Sequence, residues 1–190
     1  MNVFLQGISG VGKTTLLREV ITPYISETAG FTVRRLTEKG AGIGFCVASL
    51  KHGFPPPETE FCPEPTGVFI LRGRHSTAPL EETILGLERE ICNPGCRFVL
   101  MDEIGGIELT SRVFMDSLKR ILSGKTPCLG VFKSGGNMER MAKNLNLGNS
   151  YCSLHRDLET LLCNSGELIT LTKGNRGEVY SYLSHFVKSN

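Results

Sequence analysis

The stretch Gly7-Ile8-Ser9-Gly10-Val11-Gly12-Lys13-Thr14 decides the fold of this chain. It follows a short apolar run, Val3-Phe4-Leu5, and precedes residues 15–21, whose apolar side chains recur at helical spacing. The order of strand, glycine loop and helix is the context that a phosphate-binding P-loop, or Walker A motif, of the pattern G-x-x-x-x-G-K-[ST] requires. Glycines let backbone N–H groups turn towards a phosphate, and the positive end of the following helix adds to the attraction. The stretch predicts a binding site for a di- or triphosphate.

Two residues of the loop have specific predicted roles. Lys13 is expected to reach the β and γ phosphates and to assist catalysis there, and the Thr14 hydroxyl is expected to ligate Mg²⁺. An ordinary glycine-rich turn is the alternative, but the spacing, the Lys-Thr pair and the strand–helix context all favour the P-loop. The predicted nucleotide-binding residues here are Gly7, Ile8, Ser9, Gly10, Val11, Gly12, Lys13, Thr14 and Thr15.

Length and composition predict one domain over residues 1–190, because 190 residues with 40% hydrophobic content can bury a full core. No apolar stretch approaches the roughly 20 residues of a membrane span, and we expect a cytoplasmic protein without a signal peptide. The net charge of +2 offers no electrostatic footprint for nucleic acid or an anionic membrane. Seven cysteines predict reduced thiols, most of them buried as small hydrophobes. The oligomeric state is left open.

The rest of the chain alternates strands with helices, which predicts βαβ units and a mainly parallel sheet between two helical layers. Residues 31–36 and 43–50 flank a glycine turn and predict a β-hairpin, which begins an insertion over about 31–75. The prolines of residues 51–66 predict an extended loop without regular structure. Further strands are predicted at 67–71, 97–103, 127–132 and 167–172, and helices at 79–91, 110–122, 136–147, 154–163 and 177–187.

The strand at 97–103 ends in two carboxylates, Asp102 and Glu103. Its unbroken apolar run suits a central parallel strand, and ligands bind at the carboxyl ends of such strands. Asp102 has the form of a Walker B acid, which holds Mg²⁺ together with the P-loop Thr; a turn or cap residue is the alternative. Glu103 is predicted to face the γ phosphate and to deprotonate water, although it could serve only as a supporting partner. A Glu in this place favours the additional-strand, catalytic-glutamate class of P-loop proteins, in which one strand separates the P-loop strand from the Walker B strand.

Together with the P-loop, four segments resemble the THEP1-type nucleoside-triphosphatases, a bacterial and archaeal family to which human cancer-related nucleoside-triphosphatase also belongs. They are Gly30-Phe31, Ile43-Gly44-Phe45, Asp102-Glu103-Ile104-Gly105-Gly106-Ile107-Glu108-Leu109 and Thr172-Lys173-Gly174-Asn175-Arg176. The resemblance implies Mg²⁺-dependent hydrolysis of ATP, GTP and other nucleoside triphosphates to diphosphate and phosphate, with loose base preference. It also implies that Glu108 belongs to the site region as an anchor. The chain departs from the family pattern at Val33-Arg34-Arg35 and in the proline-rich segment 54–65.

Asn175 and Arg176 are predicted to lie near the purine, where amide and guanidinium groups can bond to or stack on a base. As an alternative, Asn175 caps the last helix and Arg176 is solvated. Arg72, Arg74 and His75 form either a lid that neutralises charge on the γ phosphate or a solvated loop.

Taken together, the residues predict a P-loop NTPase of the three-layer αβα type. A small-molecule or nucleotide kinase, with its acceptor held by the hairpin and the proline loop, is the first alternative. A nucleotide-dependent switch or assembly factor is the second.

Overall fold

The computed structural model describes residues 1–62, 66–148 and 150–190. Outside the insertion, its strands alternate with helices as the sequence predicts. The strands are β1 (Asn2–Gln6), β2 (Thr28–Glu38), β3 (Ala41–Ser49), β4 (Glu58–Glu60), β5 (Val68–Leu71), β6 (Arg74–His75), β7 (Phe98–Ile104), β8 (Cys128–Phe132) and β9 (Gly166–Thr170). The α-helices are α1 (Lys13–Ile21), α2 (Ala78–Ile91), α3 (Arg112–Leu122), α4 (Gly135–Leu145), α5 (Ser150–Ser165) and α6 (Arg176–Ser189), and 3₁₀-helices cover Thr22–Glu27 and Ile107–Thr110.

One sheet runs through the molecule in the order β6-β5-β3-β2-β7-β8-β1-β9, with β4 paired to β2. The strands β2, β7, β8, β1 and β9 are parallel to one another, whereas β3, β5 and β6 extend the sheet from β2 with antiparallel pairs. β8 lies between β1, which leads into the P-loop, and β7, which carries the two carboxylates. The prediction of an additional strand at this place is confirmed.

Both faces of the central parallel strands β1, β7 and β8 are buried, which explains their unbroken apolar runs. Along β1, Val3 and Leu5 pack with the apolar residues of α1 and α6, whereas Phe4 packs with those of α2, α3 and α5 on the opposite face. Side chains alternate between the faces with a period of two, so each strand supplies both cores. This arrangement confirms the predicted three-layer αβα architecture.

β2 and β3 form the predicted antiparallel hairpin. The prediction that residues 51–66 lack regular structure is wrong, because Glu58–Glu60 form the strand β4, parallel to the distal half of β2. The prolines at 55–57 precede this strand, and the carbonyl of Pro57 still accepts a hydrogen bond from Arg35 N at 2.9 Å. Pro63 and Pro65 lie outside the described residues.

Several boundaries and environments differ from the predictions. Ser111 is the residue that caps α3, since its hydroxyl accepts a hydrogen bond from Phe114 N at 3.1 Å. α5 begins at Ser150, before the predicted start at 154, and Asn149 of the predicted turn lies outside the described residues.

The prediction that most cysteines are buried is wrong. Cys46 and Cys128 are buried and Cys96 is half-buried, whereas Cys62, Cys92, Cys152 and Cys163 are exposed. Among the helices of the described residues, none combines the length and the apolar character needed to cross a membrane.

Candidate active site

The P-loop connects β1 to α1, and Lys13 is the first residue of that helix. Gly12 before it has a φ of 94°, a left-handed conformation that glycine adopts without the penalty of a Cβ atom. The Lys13 ammonium lies inside the loop, where Nζ donates to Gly7 O at 2.9 Å and to Ile8 O at 3.0 Å. Burial lowers the pKa of Lys13, and the nearby carboxylate of Glu103 opposes that shift. The loop therefore presents a cation at its centre.

The remaining loop residues differ in exposure. Ile8, Ser9 and Gly10 are exposed at the tip, whereas Val11 packs into the core beneath α1. Thr15 is exposed on the first turn of α1. Backbone N–H groups rather than side chains would contact phosphate at such a tip, and the contacts assigned to these residues stay predictions.

Asp102 and Thr14 meet near the carboxyl end of β7. Thr14 Oγ1 donates to Asp102 Oδ1 at 2.8 Å, and Thr32 Oγ1 on β2 donates to Oδ2 at 3.1 Å. Asp102 is buried, and burial raises its pKa although both hydroxyls act to lower it. The sequence reasoning did not identify Thr32, because its position opposite Asp102 depends on the register between β2 and β7.

The Thr14–Asp102 pair fits a magnesium ion by the chemistry of its donors. Mg²⁺ prefers oxygen ligands and usually binds through one or two protein oxygens, with phosphates and waters completing the shell. A hydroxyl and a carboxylate lie side by side here, next to the P-loop. In the described parts of the chain, no group of three His, Cys, Asp or Glu side chains could hold a metal by itself. An ion at this place would share its ligands with a bound phosphate.

Glu103 reaches towards the end of the neighbouring strand β8. Its Oε1 forms an ion pair with Lys133 Nζ, and both side chains are mostly buried, at 28% and 23% exposure. The Asp102–Glu103 peptide bond is cis. Lys133 directly follows β8, and its N–H donates to Ile104 O at 2.8 Å. The sequence reasoning missed Lys133, although a residue that leaves the strand between the P-loop and the carboxylates must lie at the same edge of the sheet.

Glu108 anchors the turn that follows β7. Its Oε1 accepts hydrogen bonds from Gly105 N at 2.5 Å and Gly106 N at 2.7 Å. The Tyr151 hydroxyl, from α5, donates to Gly106 O at 2.6 Å. Burial raises the pKa of Glu108, whereas the bonded backbone N–H groups lower it. This geometry agrees with the anchoring role that the resemblance implies, and Tyr151 is a partner that no local sequence signal indicated.

Arg176 lies against the P-loop helix. Its Nη1 donates to Gly12 O at 3.3 Å, and its Nη2 pairs with Glu19 on α1 at 2.9 Å. The guanidinium is therefore held beside the P-loop by a carboxylate. Its contact with a base stays a prediction.

The Asn175 side chain forms hydrogen bonds within the loop between β9 and α6. Its Oδ1 accepts from Thr172 N at 2.8 Å, and its Nδ2 donates to Thr170 O at 2.9 Å. Asn175 occupies the N-cap position of α6 but makes no side-chain hydrogen bond to that helix. Its amide is thus engaged within the loop on both sides.

Arg34 and Arg72 form contacts within the insertion. Arg72 pairs with Glu38 of the hairpin at 2.8 Å, while Arg74 and His75 are exposed on β6. Arg34 Nε donates to Pro56 O at 2.7 Å. These contacts connect the hairpin to the segments around it, and Arg72 is engaged with the hairpin rather than the P-loop.

A cavity of about 960 Å³ is lined by the two carboxylates, by P-loop residues and by residues from the insertion and α4. Ser9, Thr14, Asp102, Glu103 and Lys133 line the side at the predicted phosphate site, which we call its phosphate side. The opposite walls come from the hairpin, β5 and α4, and include Val33, Arg35, Phe45, Phe69, Ile70, Asn137, Arg140, Met141, Asn144 and Leu145. Its described lining includes no residue of 171–176, so the cavity is separate from the loop predicted to hold the base.

The chain is similar to known proteins over nearly its whole length. The sequence model of a family described as NTPase matches residues 2–183. Human cancer-related nucleoside-triphosphatase is 32% identical over 137 residues, which cover 64% of this chain and 69% of the human protein. Nucleoside-triphosphatase THEP1 from Thermotoga sp. (strain RQ2) is 28% identical over 182 residues, which cover 94% of this chain and 99% of that protein.

The crystal structure of THEP1 from the hyperthermophile Aquifex aeolicus has the same fold, with a TM-score of 0.58 over 98% of each chain at 18% identity. The family match spans the P-loop, both carboxylates and the loop before α6. It therefore includes the segments on which the resemblance was based. This chain belongs to the NTPase family that includes the THEP1-type nucleoside-triphosphatases.

Proposed function

We propose that this protein is a Mg²⁺-dependent nucleoside-triphosphatase that uses Glu103 as its general base. Hydrolysis of nucleoside triphosphates follows from its family. The ion and the roles of individual residues are the proposal. The observation that carries it is the 2.8 Å contact between the Thr14 hydroxyl and Asp102, with Glu103 next in the chain and on the wall of the cavity.

In this proposal the P-loop holds the β and γ phosphates of ATP or GTP. Lys13, already inside the loop, places its charge between them, and the N-terminus of α1 adds the positive end of its dipole. A magnesium ion held by Thr14 and Asp102 would neutralise charge on the phosphate oxygens. Since binding depends on charge and backbone groups, purine identity contributes little.

Glu103 is placed to act on the nucleophile. Its carboxylate accepts a proton from water as the water oxygen attacks the γ phosphorus, and the bond to the β-phosphate oxygen breaks to release the diphosphate. The Lys133 ammonium positions Glu103 at the cavity wall by the ion pair between them. Preorganised charges of this kind need little rearrangement during the reaction.

The test is Glu103→Gln, which keeps the shape of the side chain but cannot accept the proton. We expect kcat to fall by roughly 10²–10⁴, the usual contribution of a positioned base, while ATP affinity measured by calorimetry is retained. Glu82→Gln, at an exposed position on α2, is the matched control and should leave both unchanged. Near wild-type turnover in Glu103→Gln would place the base elsewhere.

A further inference from the structure

The cavity beside Glu103 is larger than hydrolysis requires. Water has a share of about 30 Å³ of liquid volume, whereas this cavity measures about 960 Å³. Protein pockets for small organic ligands fall in the range of roughly 300–1,000 Å³. The volume is therefore sufficient for a second molecule that touches the γ phosphate.

Part of the cavity wall is apolar. Phe45 keeps 41% of its surface exposed, and its ring stacks on Phe69 with centroids 6.5 Å apart. Met141 and Leu145 on α4 also line the cavity. Leaving such surface in water is unfavourable by about 25 cal/mol per Å², so the wall favours a ligand with an apolar body.

The cavity lining also includes polar side chains outside the two motifs. Arg140 and Asn144 are one turn apart on α4, and both line the cavity. Arg35 enters from β2, where a carboxylate of Glu58 lies 3.7 Å from its guanidinium. Guanidinium groups recognise carboxylates and other planar anions, so these side chains favour a ligand with an anionic group.

We propose that the cavity binds a small molecule with an apolar body, an anionic group and a hydroxyl, and that this hydroxyl accepts the γ-phosphoryl group. The inference rests on the proposed function, because it uses the same triphosphate site and the same base. The reaction centre supports it, since Thr14, Asp102, Glu103 and Lys133 all line this cavity and would face its occupant.

The transfer step differs from hydrolysis only in its nucleophile. The hydroxyl oxygen attacks the γ phosphorus and forms a new P–O bond, while its proton passes to Glu103. The bond from the γ phosphorus to the oxygen shared with the β phosphate breaks, and the electron pair leaves with the nucleoside diphosphate. The acceptor departs as a phosphate monoester.

The experiment measures ADP and free phosphate in the same reaction with two defined probes, 4-(hydroxymethyl)benzoate and 6-hydroxyhexanoate. Each carries an apolar body, a carboxylate and a hydroxyl. With a probe present, ADP should exceed free phosphate by about twofold or more, because a bound hydroxyl competes with water at high effective concentration. The analogues without a hydroxyl, 4-methylbenzoate and hexanoate, should slow phosphate release and leave the two products equal.

Two variants connect this effect to the cavity. Arg140→Ala should raise the half-saturating probe concentration by about tenfold, because it removes a charged hydrogen-bond donor to the carboxylate. Arg156→Ala, at an exposed position on α5 away from the cavity lining, is the matched control and should change nothing.

The outcomes separate the two proposals. Equal ADP and phosphate with both hydroxyl probes overturns the transfer step, whether or not the probes inhibit, while hydrolysis without them still supports the NTPase. ADP that forms only in the presence of a hydroxyl probe, without free phosphate, would support transfer and overturn the assignment of water as the nucleophile.

Discussion

Thr14 and Asp102 act as one unit at the scale of single residues, because a hydrogen bond of 2.8 Å joins the two oxygens that would bind the ion. Thr14→Ala and Asp102→Asn should each raise the Mg²⁺ concentration needed for half-maximal turnover, by about tenfold or more, since each removes one of few protein ligands. Thr14→Ser keeps the hydroxyl and is the matched control. A normal Mg²⁺ titration in both variants would contradict the shared site.

Two hydrogen bonds hold the backbone of Lys133 just after β8. Its carbonyl accepts a hydrogen bond from the buried His155 Nε2 at 2.8 Å, and its N–H is bonded to Ile104. Lys133→Met keeps the stem but removes the ion pair, so Glu103 should lose its fixed orientation. We expect kcat to fall by about tenfold or more, with ATP affinity less affected and the melting temperature close to wild type.

Lys133→Arg provides the control for that change, since it restores a cation and should recover part of kcat. Equal losses in Lys133→Met and Lys133→Arg, together with a lower melting temperature in both, would reduce Lys133 to a packing role. Full activity in Lys133→Met would show that the ion pair has no part in positioning Glu103.

Motif residues could be predicted from the sequence because their chemistry depends on neighbours in the chain. Lys13 and Thr14 follow the glycines directly, and Asp102 ends an apolar strand. Thr32 and Lys133 could not be found in this way. Their positions depend on which strands pair and in what register, and that information is distributed over distant parts of the chain.

At the scale of elements, the loop between β9 and α6 governs base recognition in the proposed site. Since the Asn175 amide is engaged with Thr170 and Thr172, little hydrogen-bonding capacity is left to distinguish purines. ATP and GTP should therefore have kcat/KM values within about tenfold, the effect of roughly one imperfect hydrogen bond or about 1 kcal/mol.

That prediction is checked by measuring kcat/KM for both nucleotides in the wild type, in Asn175→Ala and in Lys173→Ala. Lys173 is exposed in the same loop and serves as the control. A hundredfold preference for one purine that disappears in Asn175→Ala would show that this side chain reads the base directly.

Elements with an apolar pattern could be predicted, and β4 shows why others could not. Its sequence, Glu58-Thr59-Glu60, has no apolar signal. The strand is joined to β2 through backbone groups, including Phe61 N to Thr37 O at 2.8 Å just beyond its end. Pairing through backbone groups does not require an alternating pattern of apolar side chains, so the sequence does not reveal it.

For the whole molecule, we propose that residues 1–190 form one domain and that the insertion over about 31–75 does not fold separately. Val47 and Phe69 of the antiparallel strands share a core cluster with Phe4 and Met101 of the parallel strands. A shared core of this kind predicts a single cooperative unfolding transition.

The stability of that domain should fall at alkaline pH through Cys128. Burial raises the pKa of this thiol from 9.0 to about 12, so the folded state retains a proton that the unfolded chain releases. The contribution is fully present below about pH 9 and is lost between about pH 9 and 12, with a slope of up to about 1.4 kcal/mol per pH unit. Urea unfolding at several pH values measures this slope.

Cys128→Ala should make the loss of stability above pH 9 less steep, whereas Cys163→Ala, which changes an exposed thiol, should leave it unchanged. Replacing a buried side chain also lowers the free energy of unfolding by an amount that does not depend on pH. Comparing the slopes of the free energy against pH cancels that amount. Identical slopes in Cys128→Ala and the wild type would mean that the buried thiol does not control alkaline unfolding.

The cavity is built from segments that are separate in the chain from the phosphate machinery. Its phosphate side comes from the P-loop and from the ends of β7 and β8, whereas its far walls come from the hairpin, β5 and α4. Mutation and insertion in the far walls can therefore accumulate while the motif residues keep their positions. Under the proposed transfer reaction, a lineage with this architecture would acquire a new acceptor by changing about 31–75 and 135–145, with Thr14, Asp102 and Glu103 unchanged.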